Sequence, residues 1–193
     1  MGGLLGESYM KPIEELMEEH RVIERVLGII EIAADLLDDD EEVDPDLFVD
    51  IVDFLMTFAD KCHHSKEERQ LFVKMQECEA SGEVGPIAVM LREHEDGRAH
   101  VRKMAELSRQ KMTKKVREGL VEAARGYVEL LSQHIQKEDN ILYPMAEQML
   151  SRLDMEELEK GFAEVEEKIM GPGVHERYHH KIEEWENRYG RRT

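Results

Sequence analysis

At 193 residues with a formal net charge of -18, the chain is long enough to bury a core of its own and carries a strongly acidic, well-solvated surface. Such a surface repels phosphate backbones and anionic headgroups, so neither nucleic acid nor membrane is expected as a partner. Two cysteines are too few for a secreted disulfide scaffold, residues 1–9 lack the basic start and apolar run of a signal peptide, and no stretch approaches the ~18 consecutive apolar residues of a membrane span, so a cytoplasmic location is expected.

Proline and aromatics are scarce and charged residues make up 36%, a composition of long helices rather than strands. The glycine-rich stretch before Met10 reads as a loose tail. A first helix is expected from Lys11-Pro12, with proline in a tolerated first-turn position. Its inner stripe is Ile13, Met17, Ile23, Leu27, Ile30, Ala34 and Leu37, with His20 filling the gap. The acidic run 38–42 that follows reads as a solvated loop. A second helix is expected from Asp44-Pro45 to about Ala80, turning Phe48, Val52, Leu55, Ala59, Cys62, His63, Glu67 and Leu71 inward, with Ser81-Gly82 as its stop.

Gly85-Pro86 opens a third helix whose inner residues, Ile87, Met90, His94, Gly97, Val101 and Met104, alternate by three and four, and which is expected to end near Met112-Thr113. A fourth places Leu120, Ala124, Tyr127, Leu131, His134, Glu138, Ile141 and Met145 on one face, with Pro144 predicting a kink or an early end. Four long helices with short connections predict an all-α fold, an up-down-up-down four-helix bundle over residues 11–150. Residues 151–193 are expected to form a helical extension that packs on the bundle or makes a dimer contact. It comprises a helix from Asp154 to Met170, a break at Gly171-Pro172-Gly173, and a last helix with Tyr178, Ile182, Trp185 and Tyr189 inward.

The chemistry sits in a phrase that occurs twice. His63-His64-Ser65-Lys66-Glu67 leads into Leu71-Phe72, and His134-Ile135-Gln136-Lys137-Glu138 leads into Leu142-Tyr143. Each phrase sets an imidazole and a carboxylate one turn apart on one helix face. With His20 and His94 in the stripes of the other two helices, four imidazoles and two carboxylates point into one core. Burying so many polar groups without a partner is costly. Two metal ions, bridged by Glu67 and Glu138, would give all six a partner, and the donor set suits iron, manganese or zinc. The ferritin-like alternative needs Glu-x-x-His pairs, but the residues three before these histidines are Met17, Asp60, Leu91 and Leu131.

The order His, His-x-x-x-Glu, His, His-x-x-x-Glu, with Glu18-Glu19-His20 and Glu93-His94-Glu95 as local wording, resembles the hemerythrin-like (HHE cation-binding) family over residues 12–150. The resemblance implies a hemerythrin-like bundle with a non-haem, oxo- or hydroxo-bridged pair of iron ions. Its imidazole ligands would be His20, His63, His94 and His134, and its bridging carboxylates Glu67 and Glu138. It further implies a protein that binds or senses oxygen or a related small oxidant such as peroxide or nitric oxide. Oxygen-carrying members have another histidine four residues after the third-helix ligand, where this chain has Arg98. A di-iron enzyme that decomposes peroxide, or handles iron or nitrosative damage, is therefore the alternative, with a structural metal protein behind it. A homo-oligomer is compatible with all three.

Weaker signals surround this set. Glu24, one turn after His20, is a candidate extra carboxylate, and Tyr127 a candidate hydrogen-bond donor near the metals. His175-Glu176-Arg177-Tyr178-His179 matches the His-Glu-x-x-His zinc motif, but no glycine-spaced third histidine follows, so it reads as a solvated or packing segment, with capping or gating of one bundle end or an added ligand, together with His180, as the alternative. His64, turned about 100° from His63 on a regular helix, is expected beside the ligands or at the surface. Cys62 is expected to be a small buried residue rather than a redox thiol.

Overall fold

Helix α1 (Pro12–Asp38) buries Ile13, Leu16, His20, Ile23, Leu27, Ile30, Ala34 and Leu37, a run of steps of three and four. Met17, expected in that stripe, is 37% exposed, and Leu16 takes its place. From Ile13 the stripe steps by three to Leu16 and by four to His20, so residue 17 lies a further ~100° round. The computed structural model describes residues 12–78 and 85–190. The expected tail before Met10 and the stop at Ser81-Gly82 lie outside them.

The second helix of the bundle begins as α2 (Leu47–Phe54), slightly later than expected, because Asp44 turns the chain by accepting the Asp46 N–H at 3.0 Å. It then runs through two wide, π-type segments, Leu55–His64 and Glu67–Leu71, into α3 (Phe72–Cys78). Next comes α4 (Gly85–Leu107), which ends short of the expected Met112-Thr113. Thr113 instead caps α5 (Lys114–Lys137) by accepting the Val116 N–H, so the residues between turn the chain. After α5 the helix widens once more, over Glu138–Leu142, before α6 (Tyr143–Met149). Pro144 falls in the first turn of α6, where a missing N–H is tolerated. The wide turn also shifts the register: Ile141 is 53% exposed and Leu142, at 1%, faces in.

These helices form a closed ring. α5 packs against α1 and α4, α4 against α2, and α1 against the wide segment that continues α2. The described residues are helical with turns and no strand, an all-α bundle, and no helix is long and apolar enough to cross a membrane. A capping box at Ser151 and Asp154 then starts α7 (Arg152–Ile169). Gly171 and Gly173, with φ of 65° and 78°, fold the chain back into α8 (Val174–Tyr189). α7 lies against α1 and both wide segments of the second helix, and α8 lies along α1. Phe162 and Leu158 of α7 are buried with Leu71 and Phe72, while Tyr178 of α8 meets the Phe54 ring edge-on at 5.2 Å. Burying a large side chain such as Phe162 contributes about 1.5–3 kcal/mol, so these contacts hold the extension on the bundle.

Candidate metal centre

Both copies of the repeated phrase adopt the same local structure. In each, the glutamate begins a wide turn, Glu67–Leu71 or Glu138–Leu142, and the histidine lies one turn before it. Short π-type segments recur at functional sites because they re-aim side chains without ending the helix. Here they point Glu67 and Glu138 into the bundle axis, where both are 0% exposed.

The imidazoles close around them. His20 Nε2 and His134 Nε2 lie 3.2 and 3.1 Å from Glu138 Oε2, and His94 Nε2 lies 3.4 Å from Glu67 Oε2. His63 Nε2 is 3.6 Å from the same Glu67 oxygen. Two groups of donor atoms result, each within a 4.8 Å span: His20, His63, Glu67 and Glu138, and His64, Glu67, His94 and His134. Glu67 belongs to both, and Glu138 also approaches His94 with Oε1 at 3.9 Å. The six residues expected from the sequence thus come together at one point.

His64 lies beside them, the first of its two expected places, rather than at the surface. It is 6% exposed and its ring stacks on that of His94, with centroids 3.8 Å apart. On a regular helix His63 and His64 diverge. The wide segment Leu55–His64 winds more loosely, and both rings reach the interior. Tyr143 was missed. Its hydroxyl donates to Glu67 Oε1 at 2.8 Å and sits 3.3 Å from His20 Nε2.

Every one of these imidazoles turns Nδ1 toward an outer carboxylate. His63 meets Glu19 at 2.8 Å, His20 meets Asp139 at 2.7 Å, His94 meets Glu68 at 2.7 Å, His134 meets Glu93 at 3.0 Å, and His64 meets Asp60 at 3.3 Å. Such carboxylate–imidazole pairs fix the tautomer and leave Nε2 free for a metal. Four of the five carboxylates are chain neighbours of a central residue on a different helix. Glu19 precedes His20, Glu68 follows Glu67, Glu93 precedes His94 and Asp139 follows Glu138.

The electrostatics are those of a crowded cation site. Burial, and then the adjacent Glu138, push the Glu67 carboxyl well above the usual range. Burial acts the same way on Glu138, but His134 and His20 overcome it and hold Glu138 well below. Burial also disfavours charge on His20, yet the hydrogen bond to Asp139 and the nearby Glu138 carboxylate raise it to about 9. His63 and His64 are driven well below the usual range, chiefly by burial. Among the described residues, the buried side-chain oxygens without a hydrogen bond of good geometry are Glu67 Oε2 and both oxygens of Glu138. Orphaned buried carboxylate oxygens are expensive. These three face the braced imidazoles, so the residues present fit a bound metal pair.

The weaker candidates lie elsewhere. Glu24 pairs with Arg21 at 3.3 Å. His179 and His180 are exposed, and neither joins a donor group with His175, so the His-Glu-x-x-His motif forms no site among the described residues. His175 instead bonds Glu166 at 2.8 Å. Glu166 also accepts from the Cys62 thiol at 3.1 Å and from Lys66 at 2.5 Å. Lys66, 0% exposed, further holds Glu15 at 2.7 Å and contacts Glu19, the partner of His63. The C-terminal extension is thereby tied to the outer rim of the centre. Tyr127 is buried against Gly97 and lines a cavity of about 210 Å³ together with His64, Asp60, Arg98, Leu55 and Leu131. Arg98, where a further histidine was considered, spends its guanidinium on Asp60, Glu68 and Glu95, each at 2.7 Å.

Known proteins place this arrangement. The chain is 22% identical over 161 residues to Uncharacterized protein Mb2018 of Mycobacterium bovis and, at the same identity, to Uncharacterized protein Rv1995 of Mycobacterium tuberculosis, a match covering 82% of this chain. The chain spans about 62% of the length of these relatives. No solved structure matches it. The family model of the hemerythrin HHE cation binding domain matches residues 11–146, which include all seven histidines and glutamates of the two donor groups. The chain belongs to the hemerythrin family of HHE cation-binding domains.

Proposed function

We propose that this domain holds a pair of iron ions and uses them to bind or sense oxygen, or a related small oxidant such as peroxide or nitric oxide. The observation that carries the reading is the set of three orphaned carboxylate oxygens of Glu67 and Glu138 faced by braced imidazoles. Nitrogen and carboxylate donors in this proportion suit iron, with manganese and zinc as competitors for the same positions. His20, His63, His94 and His134 would hold the pair, and Glu67 and Glu138 would bridge it. An iron pair, when bound, supplies reversible electron transfer to a small oxidant.

The chain's own residues supply the rest. Outer carboxylates keep each Nδ1 occupied, so the ring planes are fixed before a ligand arrives. Leu71, Phe72, Leu142 and Tyr143 are 0–1% exposed and keep bulk water from that end of the centre. The Tyr143 hydroxyl is a neutral O–H donor within the centre; its one proton, held by Glu67 in the structure, would turn to a small anionic ligand that entered beside His20 and Glu67. A cytoplasmic setting agrees with two free cysteines, Cys62 buried and Cys78 exposed.

The test is to load the protein with ferrous iron without oxygen, admit oxygen, then degas while recording optical spectra. Binding predicts an absorption change that reverses on degassing. Steady turnover of added peroxide with the starting spectrum restored would move the assignment to the enzymatic alternative. Protein that is stable only with zinc, and indifferent to oxygen and peroxide alike, would refute both.

A further inference from the structure

The cavity of about 210 Å³ lies where the wide segment Leu55–His64 faces α4 and α5, and the proposed function makes no use of it. We propose that it is a binding site for a single-ring aromatic acid with a polar ring substituent. The inference goes beyond the metal-pair reading and does not depend on it.

The cavity has a floor and a mouth. Leu55, Tyr127 and Leu131, 1–4% exposed, form the floor with His64. Met56, 43% exposed, and the exposed Arg102 stand at the mouth. α4 presents Gly97 to this space, so part of one wall is bare backbone. A Cβ there would stand 3.7 Å from Tyr127 Cε2, and its absence leaves the Tyr127 ring uncovered. An apolar cavity of roughly 150 Å³ accepts benzene, so this one has room for a ring with a short substituent. The rings of His64 and Tyr127 and the Met56 thioether are favourable neighbours for an aromatic body.

Two polar groups define the ends. The Tyr127 side chain is buried, yet its hydroxyl makes no hydrogen bond among the described residues. Its oxygen is not one of the sealed, unpartnered atoms, so it is reached through the cavity. A hydroxyl so placed calls for a partner. Arg102 forms no ion pair among the described residues. The other charged groups on the wall are paired, Asp60 with Arg98 at 2.7 Å and Glu93 with Lys137. The unspent charge is therefore positive and suits a carboxylate at the mouth. With the carboxylate on Arg102, the ring between Leu55 and Leu131, and the ring substituent on Tyr127, both open groups gain a partner. Among the described residues, His64 is the one that lines the cavity and also belongs to a donor group. The acid would lie against that ring rather than on a metal.

The test is calorimetric titration of the full-length protein, as purified and again after chelation, with 4-hydroxyphenylacetate, phenylacetate and tyramine. The hydroxylated acid is expected to bind one per chain in both preparations, about 3–10-fold tighter than phenylacetate, with tyramine weaker than either. Tyr127→Phe should erase the preference for the ring hydroxyl and leave phenylacetate unchanged. Arg102→Gln should weaken both acids about 3–5-fold and spare tyramine. Val101→Phe fills the cavity from α4 and should abolish binding with helicity retained. If that variant does not fold, Arg102→Gln and Tyr127→Phe, which leave the packing intact, carry the test.

No saturable binding of either acid would overturn the proposal, as would tyramine binding as tightly as the acids. Affinities indifferent to both Arg102→Gln and Tyr127→Phe would overturn it too. Binding that chelation abolishes would place the carboxylate on a metal and overturn it while leaving the metal-pair reading intact.

Discussion

Lys66 offers the sharpest test of how the C-terminal helices are tied to the centre. Its ammonium is 0% exposed and is surrounded by Glu15 at 2.7 Å, Glu166 at 2.5 Å and Glu19. Burial opposes the charge, but these carboxylates, Glu19 first, raise Lys66 above its ordinary value. Lys66→Met keeps the volume and removes the charge, which takes their shared ammonium from Glu19, 8% exposed, and Glu166, 27% exposed, and leaves them only His63 and the His175 and Cys62 pair respectively. Breaking a buried pair from one side costs about 3–5 kcal/mol. In a chain of this size that is a drop in Tm of about 6–20 °C. The assay is urea and thermal unfolding of the metal-free protein followed by helix signal. Lys66→Met/Glu166→Gln should recover part of the loss, because one stranded charge is gone. Glu166 is held at about 2, below the ordinary carboxylate value of 4.5, because His175 and Lys66 outweigh its burial. A depressed carboxylate stabilises above its unfolded value, so this contribution is present above about pH 4.5 and lost as pH falls toward 2. A Lys66→Met protein within 1 kcal/mol of wild type, or strict additivity with Glu166→Gln, would refute the account of this cluster.

Three further outcomes are expected. Asp139→Asn removes the carboxylate from His20 and should lower metal affinity about 10–100-fold, measured by competition with a chelator. His20 in the metal-free protein is raised from 6.5 to about 9, so its stabilising contribution is complete below pH 6.5 and fades as pH rises through 9. Metal must displace that proton, so uptake should tighten over the same interval and release protons in weakly buffered titrations. Tyr143→Phe should keep both ions yet change the optical response to oxygen or peroxide, since the hydroxyl that meets Glu67 and His20 is lost. An unchanged response would remove Tyr143 from the ligand pocket.

Much of this was legible in the order of residues. Steps of three and four located the buried faces of α1 and α4, and His20 and His94 fell in those stripes because a regular helix keeps its phase. Departures occur where the helix is not regular. Ile141 was expected inward, but the wide turn Glu138–Leu142 hands that position to Leu142. The wide segment ending at His64 likewise brings in a ring that regular geometry turns away. No composition signal marks a π-type segment, so neither event could be read in advance. The carboxylate braces did leave a signal, an acidic residue directly beside His20, Glu67, His94 and Glu138, but it has meaning only once neighbouring helices are placed. The Lys66–Glu166 contact joins residues 100 apart, a separation that local pattern does not reach.

The central claim is that Glu67 and Glu138 bridge a metal pair inside the bundle. It is tested most directly by counting the metal in purified wild type, Glu67→Ala and Glu138→Ala. The account predicts two ions per chain in wild type, and loss of the pair in each variant with helicity retained. Two ions kept in both variants, or a wild-type protein that takes up none, would contradict it.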